Sequence, residues 1–143
     1  LQTIHNANPM KTLAEIASTV TAMAHNIGAD RAALPAFGSA ASDGSPFIEV
    51  DAQQYHFVVE ERGEEVVRQS SSDFNELLYW TFESVTHDLA FAHELAHRVD
   101  HQDSRRMGFA KQLALLGRIN AGMATRRAKE IADILAVAPY VDA

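Results

Sequence analysis

The residues best equipped for chemistry in this 143-residue chain are His93, Glu94 and His97, which form the pattern His-Glu-x-x-His near the end of a long apolar-periodic run. On a helix, histidines four apart lie on one face and can share a zinc ion at about 2 Å, with the intervening glutamate as base toward a metal-bound water. Such a site would make the chain a small zinc-dependent hydrolase or metallopeptidase. Three details count against it. His101 is eight residues from His93, about 12 Å along a straight helix and too far for one ion to reach both. Arg98-Val99-Asp100 follows the second histidine, where metzincins carry a glycine that turns the chain toward a third ligand. Arg98 also sets a cation beside the metal position, and no spacing singles out Glu130 or Asp133 as a distant ligand.

The second group is acidic. Glu49, Asp51, Glu60, Glu61, Glu64 and Glu65 fall at strand ends and turns, where clustered carboxylates repel one another. They can hold a hard cation, form an acid/base pair or meet an Arg/Lys patch on a partner. No spacing matches a calcium loop, and solvated hairpin turns carry the same charge, so the six are candidate partner-binding residues with no catalytic role assigned.

Charge supports a basic partner over nucleic acid. The net charge is −7, with −10 on residues 1–97 and +3 on the remainder. A field of that sign disfavours nucleic acid and speeds encounter with a basic protein. Arg105, Arg106, Lys111, Arg118, Arg126, Arg127 and Lys129 lie on the last two helices without interleaved aromatics, which is not a nucleic-acid surface. The absence of cysteine excludes thiol catalysis, disulfides and cysteine-ligated zinc. No stretch approaches a membrane span, and the first residues lack the basic and apolar regions of a signal peptide, so a cytoplasmic chain with no membrane partner is expected.

The elements that must position these groups follow from periodicity. Asp73 caps a central helix expected to run to Gln102, with Glu76 closing the cap and Phe74, Leu77, Leu78, Thr81, Phe82, Val85 and Leu89 on one face. Ahead of it, Asn8-Pro9 opens a helix that Gly28 stops, and residues 29–46 form an irregular loop. Residues 47–51, 55–61 and 65–69 alternate as three strands whose short connections make them antiparallel neighbours. Asp103 and Asn120 cap two further helices, and Pro139 ends the last. The expected fold is α+β: an N-terminal helix, a three-stranded antiparallel β-meander and three C-terminal helices. Residues 9–142 form a single domain in this scheme, and residues 1–8 a flexible tail.

The order of landmarks resembles one family. Leu34-Pro35-Ala36-Phe37-Gly38, Phe47-Ile48-Glu49-Val50-Asp51, Tyr55 to Gly63, Glu76-Leu77-Leu78-Tyr79-Trp80-Thr81-Phe82-Glu83, Gln102-Asp103-Ser104-Arg105-Arg106 and Phe109 to Gly117 are similar to the immunity protein 63 family. Leu-Leu-Tyr-Trp and Gln-Asp-x-Arg-Arg are the most specific of these. The resemblance implies a small non-enzymatic protein, encoded beside a secreted polymorphic toxin, that binds and neutralises its cognate toxin domain in the producing cell. It implies no cofactor and no catalytic residue, makes the His-Glu-x-x-His pattern incidental, and leaves monomer or homodimer open.

Overall fold

A computed structural model describes residues 9–39 and 43–143; the expected tail at residues 1–8, with the Asn8 cap, lies outside the described residues. The chain divides into two compact units, one of residues through Thr19 with Pro35–Leu77, the other of Val20–Leu34 with Leu78–Ala143.

The first unit is built on a sheet. Helix α1, Leu13–His25, begins later than Pro9 because Thr12 supplies the cap. The Glu15 N–H donates to Thr12 Oγ1 (3.1 Å) and the Thr12 N–H to Glu15 Oε1 (2.9 Å), so two otherwise orphaned donors satisfy each other's residue. The loop expected at 29–46 is not irregular throughout: it holds a 3-10 turn at Arg31–Ala33, capped by Asp30, a short strand β1 at Ala36–Phe37, and the start of β2, Asp43–Val50. Strands β3, Tyr55–Glu61, and β4, Glu64–Ser71, complete the sheet.

The expected three-stranded antiparallel meander is therefore part of a four-stranded mixed sheet in the order β1-β2-β3-β4. β1 runs parallel to β2, Ala36 opposite Phe47 and Phe37 opposite Ile48. A two-residue strand has no period to read, and its pairing is decided at a distance. The Gly38 N–H donates to the Ile48 carbonyl at 2.8 Å, and at φ +96° Gly38 takes a backbone conformation that L side chains rarely adopt. Between β3 and β4, Arg62 (φ +55°) and Gly63 (φ +77°) are both left-handed, the two-residue turn whose twist matches that of the flanking strands. Ile16, Phe47, Ile48, Phe57, Val58 and Leu77 are the buried apolar centre of this unit.

The second unit is helical and includes α1 from Val20 and the 3-10 turn at Arg31–Ala33. α2, Phe74–Ala96, is capped by Asp73, whose carboxylate accepts the Asn75 N–H at 2.9 Å. It stops at Ala96, short of the expected Gln102. His97 Nδ1 bonds the His93 carbonyl at 2.8 Å and its N–H is shared between the His93 and Glu94 carbonyls, so the last turn is closed from within. His101 then sits at φ +64° and the chain turns away. α3, Ser104–Ile119, and α4, Ala121–Val137, start at the expected caps: Asp103 accepts the Arg105 N–H (3.0 Å) and Asn120 the Met123 N–H (3.0 Å). Phe82, Val85, Ala90, Phe109, Leu116 and Ile131 are buried there.

Candidate functional site

The His-Glu-x-x-His pattern brings His93 and His97 together, and among the described residues no third ligand joins them. The His93 and His97 rings stack at 4.2 Å. A carbonyl only accepts, so His97 Nδ1 carries the hydrogen it gives to His93, leaving Nε2 as the one lone pair for a metal. Glu94, the base in that scheme, is 4% exposed and is held by Arg98 through Nε (3.1 Å) and Nη2 (2.8 Å). Those hydrogen bonds hold its carboxyl below the ordinary range. Burial, and then the neighbouring His97, lower the His93 pKa. Glu130 and Asp133 are engaged elsewhere, by Tyr79 with Arg127 and by Lys129 respectively. Among the described residues no three His, Asp or Glu side chains gather closely enough to hold one metal ion.

The six carboxylates separate into two groups. Glu49 and Asp51 lie toward one end of the β2–β3 pair, with Glu49 opposite His56. Glu60, Glu61, Glu64 and Glu65 surround the β3–β4 turn, Glu60 opposite Glu65 and Glu61 opposite Glu64. Arg68 bridges the groups along one face, donating from Nε and Nη2 to Glu65 (2.7 and 2.9 Å) and from Nη2 to Glu49 (3.2 Å). Glu49 and Glu65 are thus neutralised within the chain. Asp51 is a turn residue: one oxygen accepts the Gln53 and Gln54 N–H groups, both at 2.8 Å, and the other accepts from His56 Nε2 at 2.7 Å.

His56 is the functional-looking residue that the alternation of β3 did not single out. It is 9% exposed, and its Nδ1 meets Ser70 Oγ at 2.6 Å. Because the Asp51 carboxylate only accepts, Nε2 carries a hydrogen, and the imidazole ties the β2–β3 turn to β4. Beside it lies a cavity of about 320 Å³ lined by Leu13, Gly38, Glu49, Val50, Asp51, His56 and Arg68. The only advance signal was Asp51 five residues before His56, a spacing with no meaning outside this turn.

What remains unengaged is the turn itself. Among the described residues Glu60, Glu61 and Glu64 have no ion-pair or hydrogen-bond partner, and Glu61 and Glu64 are exposed. Three free carboxylates flank Arg62 at the end of a hairpin. That arrangement carries no catalytic partner, but it concentrates negative potential where a basic surface can approach without displacing an internal bond.

The Gln102 to Arg106 segment has an internal task. Arg105 donates to the Ala138 and Pro139 carbonyls (both 2.9 Å), and Asp103 accepts the Val141 N–H at 2.9 Å. Arg106 pairs with Asp142 at 3.1 Å and lies 4.3 Å from the Tyr140 ring centre. This segment clasps residues 138–142 onto the start of α3.

These contacts predict the acid behaviour. Hydrogen bonding from His56, then from the Gln53 and Gln54 backbone, lowers the Asp51 carboxyl to about 2. Arg105, then the Val141 and Arg105 N–H groups, hold Asp103 well below the carboxylate range. A carboxyl depressed in the folded state stabilises it above the unfolded value near 4, and that contribution disappears as pH falls through the folded value. Stability to denaturant is therefore expected to fall steadily from about pH 4 to about pH 2. Asp51→Asn should start lower and show a shallower decline; an unchanged slope would show that Asp51 contributes nothing to acid unfolding.

The geometry so far defines, among the described residues, a small acidic α+β protein with four helices and a four-stranded mixed sheet, three of its free carboxylates gathered at one hairpin. No helix among the described residues is long and apolar enough to cross a membrane. The family model described as Immunity protein 63 matches residues 51–133, more than half of the chain, and the chain belongs to that family. The match takes in both specific segments, Leu77 to Trp80 and Gln102 to Arg106, whereas Leu34 to Gly38 and Phe47 to Val50 precede it. No curated protein and no solved structure matches the chain.

Proposed function

We propose that this chain is a non-enzymatic immunity protein that binds and neutralises a cognate toxin domain in the cytoplasm of the producing cell, with Glu60, Glu61 and Glu64 as its leading electrostatic contact. Membership of the immunity protein 63 family supports the role. The observation that carries the surface is that among the described residues these three carboxylates have no side-chain partner, while Glu49, Asp51 and Glu65 do. Of the six acidic candidates, the second three serve the binding surface indirectly, by fixing the sheet that holds the turn. The toxin face it fits is basic. Residues 9–142 act as one immunity module in this reading.

The test is growth rescue against the neighbouring toxin domain, with binding kinetics measured beside it. Glu60→Lys/Glu61→Lys/Glu64→Lys is expected to weaken toxin binding by about tenfold or more, chiefly through slower association and with reduced salt dependence. His93→Ala/His97→Ala should rescue growth like the parent. Unchanged association by the charge-reversed hairpin would refute the surface; loss of rescue on changing the two histidines would move the contact to the end of α2.

A further inference from the structure

β4 is an edge strand: among the described residues no strand pairs with its outer side. Seven of its eight residues, Glu64 to Ser70, are exposed, including Val66 at 52% and Val67 at 42%. A free edge presents a row of unpaired N–H and C=O groups, which natural sheets commonly blunt with lysine, proline or a short strand. β4 has none of these. What it has is a bulge and three charged residues, Glu64, Glu65 and Arg68, which also guard an edge, and their arrangement decides what the edge fits.

The bulge falls where Val59 pairs with Val67 and Glu60 with Glu65, leaving Val66 as the extra residue. Residues three apart on a regular strand point to opposite faces, but here Glu65 and Arg68 share one, as their 2.7 Å contact requires. A two-fold axis perpendicular to a sheet reverses strand direction and preserves the face. With that axis between Val66 and Val67, Glu65 of one copy stands opposite Arg68 of the other on the same face, twice over, and Val66 stands opposite Val67. The run Glu65-Val66-Val67-Arg68 is thus its own complement only because of the bulge.

We propose that β4 is a homodimerisation edge, pairing antiparallel with β4 of a second copy to join the two four-stranded sheets. The two Glu65 and two Arg68 side chains alternate in charge around the axis on one face, while Val67, paired with Val59, lies on the other. A second copy is favoured over an unrelated strand because the charge pattern matches itself. The bulges remove some ladder hydrogen bonds near the axis, so the dimer is weak, reversible and sensitive to salt.

Sedimentation velocity on the full chain, from micromolar to near-millimolar concentration in low salt, reads the association. The parent is expected to pass reversibly from monomer to dimer. Glu65→Arg and Arg68→Glu, each alone, place like charges opposite one another and should weaken dimerisation at least about tenfold, with unchanged circular dichroism. An equimolar mixture of the two variants restores both opposite-charge pairs, and a heterodimer should reappear. A parent that stays monomeric, single variants that dimerise like the parent, or a mixture that stays monomeric each overturn the proposal. Glu60, Glu61 and Glu64 are unchanged in these variants, and toxin association measured on the same proteins tells loss of the dimer from loss of the toxin contact.

Discussion

Gly108→Ala is expected to destabilise the protein by about 2–3 kcal/mol, although the same exchange at an open helix position stabilises by about 1 kcal/mol. Gly108 is buried in α3, and a Cβ placed there would lie 2.4 Å from two ring carbons of Phe91 and 2.8 Å from a third. The half-buried Phe91 ring would have to give up its ring contacts to make room. It meets the Phe109 ring edge-on at 6.0 Å and the His87 ring at 4.7 Å, so the methyl group must part α2 from α3 or expel the ring. Gly117, in the same helix with nothing within 4 Å of its added Cβ, is the internal control. Gly117→Ala should stabilise by about 0.5–1 kcal/mol, so chemical denaturation of the two variants is expected to give opposite signs. Phe91→Leu should recover part of the Gly108→Ala loss in the double variant. Equal stabilisation by both glycine replacements would show that α2 and α3 are not in contact at Gly108.

How much of this was legible depended on whether the deciding contact was local. Asp73, Asp103 and Asn120 act within two or three residues of themselves, and each caps the helix it was expected to cap. The Arg62-Gly63 turn and the β3 bounds are likewise local. α2 is expected too long because no Gly or Pro interrupts the run before Gly108, yet Leu95 and Val99 near its end are 66% and 47% exposed and bury nothing. β1 had to be missed, since Ala36 and Phe37 become a strand only by pairing with Phe47 and Ile48. The acidic cluster looked like one surface because sequence spacing does not show that Arg68 reaches both Glu49 and Glu65, or that His56 takes Asp51. Family resemblance found the Gln102 to Arg106 segment, and its chemistry proved to be an internal clasp.

Gln112 is the polar counterpart of Gly108, and Gln112→Leu is expected to cost about 2–4 kcal/mol although leucine is apolar and of similar size. The side chain is fully buried. Its amide nitrogen donates to the Glu83 carbonyl (3.0 Å) and toward Thr86 Oγ1 (3.3 Å), and its carbonyl oxygen accepts from Arg127 Nε at 3.1 Å. The chain of bonds continues: Arg127 donates to Glu130 at 3.2 Å, and Glu130 accepts the Tyr79 hydroxyl. Burial, and then Glu130, raise the Tyr79 pKa, which keeps that hydroxyl a donor. Leucine would strand the Nε–H of Arg127, whose side chain is only 11% exposed, beside an apolar group that returns nothing for the lost hydration. The loss belongs to the network more than to the glutamine. Removing Arg127 as well should therefore cost less than the sum of the two single changes, with a coupling of about 1–3 kcal/mol in a double-mutant cycle read by denaturant unfolding. Additive losses in Gln112→Leu/Arg127→Leu would mean that the Gln112–Arg127 hydrogen bond does not couple α3 to α4.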